Sequence, residues 1–118
     1  MTQYLILIHG DESRWNALSA DERAAVDDAH RAFNERAGDA VLAAGELESS
    51  TRAATLRTGA DGAPVATDGP FAESKEVVGG FYVLEAPDRE HAVALASGLA
   101  EARQGHGGVE VRPLVHRG

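Results

Sequence analysis

The chain has no cysteine, which removes disulfides, thiol catalysis and sulfur-ligated zinc from consideration. That absence fits a reducing cytoplasm, where we expect the protein to reside. Large anchors are scarce as well, with one Trp, two Tyr, three Phe and one Met in 118 residues. Because 43% of the residues are hydrophobic but only 5% are aromatic, the core has to be assembled from small side chains, and a surface shared with a second copy becomes attractive. No apolar run approaches the ~20 residues of a membrane span, and Met1-Thr2-Gln3 lacks the basic region of a signal peptide. A soluble protein with no membrane partner is expected. Basic residues number 11 against 19 acidic, a formal net charge of −8, so polyanions are repelled and direct nucleic-acid binding is not expected. At this length a single domain, residues 1–118, is expected.

Within that frame, Tyr4-Leu5-Ile6-Leu7-Ile8 is a short apolar run without alternation and reads as a strand buried on both faces. Two helices cover only one face of a small sheet, so the other face calls for a second chain, and a homodimer is expected. His9-Gly10-Asp11-Glu12 follows as a loop running through Trp15. The spacing of His9, Asp11 and Glu12 matches no defined ligand motif, and no metal site is assigned there. Trp15 either lines a pocket mouth or packs its indole over a helix end.

Ser19-Ala20-Asp21-Glu22 is a capping box and predicts the start of a helix, with Val26, Ala29, His30, Phe33 and Ala37 on one face and Gly38 at its end. His30 sits in the middle of that apolar face. Two readings stand: a core histidine bonded to backbone or water, or a general acid-base, since an imidazole with a pKa of ~6.5 exchanges protons near neutrality once a cleft reaches it. A strand is expected over Val41 to Leu47, and a hairpin over Ala53 to Thr58 and Pro64 to Ala66 about the tight-turn pair Asp61-Gly62. Phe81 to Leu84 forms the next strand, Phe81 and Val83 on one face, Tyr82 and Leu84 on the other. Asp88 caps a second helix whose buried stripe is Ala92, Leu95, Ala96 and Leu99, with His91 outside it. Val109 to Pro113 alternates as a last strand, its valines toward the helices and Glu110 and Arg112 toward the other face, ahead of a loose tail at His116 and Arg117.

Between hairpin and strand lies the densest stretch, Thr67-Asp68-Gly69-Pro70-Phe71-Ala72-Glu73-Ser74-Lys75-Glu76. Asp68-Gly69-Pro70 signals a turn, Phe71 is an apolar side chain in a polar loop, and Glu73, Lys75 and Glu76 bring both signs of charge together. One reading has Phe71 tack the loop to the core with the charges solvated; the other makes the stretch a binding site. Asp68-Gly69-Pro70-Phe71 with Glu73, Lys75 and Glu76, then Gly79-Gly80-Phe81-Tyr82-Val83 and Val109 to Pro113, resembles the DGPF branch of the YCII-related family, and the likeness runs from Tyr4 to Pro113. The resemblance implies a ferredoxin-like α+β fold, an antiparallel sheet with two helices on one face, pairing into a dimeric α/β barrel. It also implies a His and Asp acid-base site, as attributed to some members, with the histidine on the first helix.

The element order β, α, β, hairpin, β, α, β suits that α+β fold. The leading expectation is a small-molecule enzyme of unknown substrate, without a bound cofactor, in a cleft where the first helix, the Asp68 to Glu76 loop and the last strand meet. His30 serves as the acid-base and Asp68 orients or charge-stabilises it. Lys75 and Arg112 hold an anionic or enolising oxygen, Glu73 is a second carboxylate or a partner that fixes Lys75, and Phe71 lines the site. Simpler family members place their aspartate just after the second helix, where this chain has Leu99-Ala100-Glu101-Ala102. The alternative class is a non-catalytic ligand-sensing or protein-binding module linked to sigma-factor regulation, which the resemblance also implies.

Overall fold

A computed structural model describes residues 1–72 and 74–116; Glu73 and the Arg117 part of the expected tail lie outside the described residues. The elements are β1 (Thr2–Asp11), α1 (Glu12–Asn16), α2 (Ala20–Ala37), β2 (Val41–Glu46), β3 (Ala54–Thr58), β4 (Pro64–Asp68), β5 (Glu76–Ala86), α3 (Arg89–Ala96) and β6 (Gly108–Pro113). Short 3₁₀ turns follow α2, β2 and α3 at Gly38–Ala40, Ser50–Arg52 and Ala100–Arg103. The main sheet has the order β2-β5-β1-β6, with every neighbouring pair antiparallel. β3 and β4 form a separate two-stranded hairpin. This is a mixed α+β fold with open sheets, and no barrel closes among the described residues.

Local chemistry explains where the helices begin. Ser19 accepts from the Glu22 amide at 3.1 Å while the Glu22 carboxylate accepts from the Ser19 amide at 2.9 Å, so two otherwise orphaned donors at the start of α2 are satisfied. Asp88 does the same for α3 by accepting from the His91 amide at 2.8 Å. One helix is additional to the sequence expectation. Asp11 ends β1 and caps the single turn of α1 by accepting from the Ser13 amide at 3.0 Å. A five-residue turn leaves no periodicity to read, and it makes a helix of a segment expected as loop.

The core lies between the sheet and the helices. Tyr4, Ile6 and Ile8 of β1 alternate with half-buried Leu5, Leu7 and His9, so the strand is sealed on one face and only partly covered on the other. Phe33, Ile6, Leu84 and Leu99 are fully buried, each worth about 1.5–3 kcal/mol on removal from water. Val109 and Val111 of β6 pack on this cluster, as their alternation with Glu110 predicts.

The hairpin stands away from that body. The Cα radius of gyration is 16.2 Å, against roughly 13–14 Å for a compact chain of this length, and the molecule is only 20 Å thick for extents of 49 and 45 Å. Leu56 and Val65 on the hairpin and Phe71 just beyond it are exposed, Phe71 at 70%. Phe71 therefore does not tack its loop to the core; the Arg57 guanidinium lies 4.1 Å over its ring instead. No described helix is long and apolar enough to cross a membrane.

Candidate acid-base site

Trp15 shapes the site from the α1 side. Its ring lies so close to Gly10 and Gly79 that a Cβ on either would fall 2.2 or 2.5 Å from a ring carbon, so only glycine lets the indole settle against the sheet. The Trp15 Nε1 donates to the Gln104 carboxamide oxygen at 2.9 Å. Glu12 anchors the same segment to the turn before β3, accepting from the Ser50 amide at 2.9 Å and hydroxyl at 2.6 Å. Between this wall, α2 and the β2–β5 edge of the sheet opens a cavity of about 580 Å³, a size that suits a small organic ligand. Trp15, Leu18, Val26 and Ile8 are among its apolar lining; His30, Tyr82 and Glu101 are the titratable groups that meet one another at its wall.

His30 is held at both ring nitrogens. Its Nδ1 lies 2.7 Å from the Tyr82 hydroxyl, and its Nε2 lies 2.9 Å from each carboxylate oxygen of Glu101. Asn34, one turn along α2, donates to the His30 carbonyl at 2.8 Å and to the Tyr82 hydroxyl at 3.4 Å. The rings of His30 and Tyr82 stack at 5.9 Å, and Tyr82 packs against Phe33 at 4.6 Å. The His30 side chain keeps 23% exposure and that of Glu101 only 9%. The Glu101 hydrogen bond holds the His30 pKa above its ordinary value; burial opposes this, and the charges of Glu101, Asp27 and Glu46 add to it. Burial pushes the Tyr82 phenol up. The group is thus a hydrogen-bonded His-carboxylate pair joined to a phenol at a cavity wall, an arrangement able to store a proton and pass it on.

Of the six residues that the sequence nominates, His30 lines this cavity and Glu73 lies outside the described residues. Asp68 ends β4 opposite Ala54 and is exposed. Lys75 borders a shallow depression with Ser50, Pro70, Ser74 and Val77. Arg112 lies on the less covered sheet face, paired with Glu110, which also bonds His9 Nε2 at 2.9 Å. His9 and then Arg112 hold the Glu110 carboxyl below its usual range. The cavity therefore opens between α2, α1 and the β2–β5 edge rather than among α2, the Asp68 loop and β6. Sequence reasoning missed Tyr82 and Glu101. The signal for Glu101 is the carboxylate just after the second helix, one methylene longer than the aspartate that the resemblance implies at that place.

Known proteins share this sequence pattern. An uncharacterized protein of Rhizobium meliloti (strain 1021) is 36% identical over 114 residues, covering 95% of this chain and 91% of that protein. The model of the YCII-related domain matches residues 2–116. With nearly the whole described chain inside that match, the protein belongs to the YCII-related family.

Proposed function

We propose that the protein is a small-molecule enzyme working by proton transfer, with the Tyr82 hydroxyl as the group that meets the ligand and the His30–Glu101 pair as its proton reservoir. One observation carries the reading: His30 bridges a phenol and a nearly buried carboxylate at the wall of a cavity large enough for a ligand. A proton leaving Tyr82 toward a substrate oxygen or carbanion is replaced from His30 Nδ1, and Glu101 stabilises the imidazolium before and the ring orientation after transfer. The Glu101 hydrogen bond raises the His30 pKa and so favours the charged ring relative to a free imidazole, the form in which the pair acts as an acid.

The assembly belongs to the same reading. The order β2-β5-β1-β6 with helical crossovers supports a ferredoxin-like sandwich. Leu5, Leu7, Phe81 and Val83 form a half-buried apolar stripe on the face that no described helix covers. We place a second copy over that stripe, giving a homodimeric α/β barrel.

The test is isotope exchange. A panel of enolisable carbonyl compounds bearing ammonium, neutral or carboxylate groups is incubated with the protein in D₂O and followed by proton NMR. At least one member is expected to exchange faster with the native protein than with His30→Gln. Equal rates for every member would remove the proton-transfer reading.

A second reading has one observation of its own. Val65 and Phe71 are exposed beside Arg57 on one face of the projecting hairpin, with exposed Leu56 on the other, which suits a protein-binding module of the sigma-factor-linked kind that the DGPF resemblance implies. Co-elution with such a sigma factor, lost on Val65→Ser with Phe71→Ser, would support it; co-elution unaffected by these changes would count against this surface.

A further inference from the structure

The charge around the cavity selects its ligand. Carboxylates of Glu12, Asp27, Glu46 and Glu101 line it, against the single guanidinium of Arg23 and the His30 ring. Arg23 is turned to the Trp15 carbonyl, to which it donates at 3.2 Å. Glu12 is engaged by Ser50 and Glu101 by His30. Asp27, one turn before His30 on α2, and Glu46, at the end of β2, are exposed and form no ion pair among the described residues. Lys75 and Arg112, the cations that the sequence offers for an anionic group, lie away from the cavity. A carboxylate or phosphate entering here meets an excess of like charge, four carboxylates against Arg23 and the His30 ring, whereas an ammonium meets two carboxylates outside any described ion pair beside the apolar surface of Trp15, Leu18 and Val26.

We propose that the cavity takes a small protonated amine, its apolar body against Trp15, Leu18 and Val26 and its ammonium toward Asp27 and Glu46, and that it turns away carboxylates and phosphates. This rests on the cavity being the ligand site of the preceding reading, but not on any reaction there. Asp27 and Glu46 are specificity-determining rather than catalytic, because neither bonds His30 or Tyr82.

The test compares three probes with one phenylethyl body: 2-phenylethylamine, 2-phenylethanol and 3-phenylpropionate. Binding to the native full chain is read by the fluorescence of Trp15, the sole tryptophan, and by calorimetry. The amine is expected to bind roughly five-fold or more tighter than the alcohol, the effect of two partly exposed charge pairs, with the carboxylate weakest. Asp27→Asn with Glu46→Gln, two exposed changes that leave the core alone, is expected to bring the amine down to the alcohol. The proposal is overturned if the carboxylate matches the amine, if the amine's advantage survives in the double variant, or if the amine gives no saturable response by either method. Amine preference without catalysed exchange leaves this inference standing and the proton-transfer reading fallen; exchange confined to carboxylate-bearing compounds does the reverse.

Discussion

Glu101→Gln is the sharpest probe of the His30 pair, because it keeps the shape of the side chain while removing its charge and exchanging one acceptor oxygen for an amide donor. Glu101 is 7% exposed and presents both oxygens to His30 Nε2 at 2.9 Å. Hydrogen bonds to charged groups contribute about 1.5–3 kcal/mol, so the variant should lose up to that much stability, or roughly 5–12 °C in Tm for a domain of this size. The loss has a definite pH dependence. The folded His30 pKa is raised above its unfolded value, with the Glu101 hydrogen bond as the largest cause. Stability from this pairing is therefore fully present below about pH 6.5, the unfolded value, and lost as pH rises through the folded pKa. Denaturant unfolding of both proteins across that range should show their curves far apart in mild acid and converging at alkaline pH. NMR titration of the His30 ring should show its pKa lower in the variant than in the native protein. An unchanged His30 titration, or a stability gap that does not narrow as pH rises, would refute the reasoning.

Two further outcomes follow from packing. Gly79→Ala would set a methyl 2.5 Å from a Trp15 ring carbon, and such overpacking costs typically 1–3 kcal/mol; denaturant unfolding should show the loss, together with a red shift of Trp15 emission as the indole is pushed outward. If the proposed dimer forms, the native protein is expected to sediment at twice 12.4 kDa and Leu7→Glu on the less covered sheet face to leave a folded monomer; a native protein that already sediments as one 12.4 kDa species would remove the shared-face reading.

Much of the fold is legible because its signals are local. The capping box at Ser19, the Asp88 cap, the Asp61-Gly62 turn and the alternation of Val109 to Arg112 each depend on a few neighbouring residues, and each stands where the sequence puts it. The same is true of the two faces of β5. What is not legible depends on distance. His30 and Tyr82 are 52 residues apart, and His30 and Glu101 are 71 apart; nothing in either local pattern says that the three converge. Glu101 sits in a 3₁₀ turn too short to carry a period. The Asp68 to Glu76 stretch shows the converse. Its crowding of turn formers and charge is conspicuous along the chain, yet a cavity needs walls from several elements, and this loop leads off a hairpin that projects from the main sheet. Trp15 is intermediate: its place at the pocket is one of two readings open to the sequence, but the two glycines that receive it lie on different strands.

The double grip on His30 makes the Tyr82 hydroxyl an indicator of ring charge. A neutral imidazole has one hydrogen and one lone pair, and with Nε2 facing a carboxylate the hydrogen belongs there, leaving Nδ1 to accept from the phenol. Once the ring is protonated, Nδ1 becomes a donor, and the Asn34 amide on the same oxygen is a donor too. The phenolic hydrogen must then swivel away from both, toward the empty side where the cavity lies. The wall thus offers a visiting molecule a hydrogen in acid and a lone pair in base, with no displacement of the backbone.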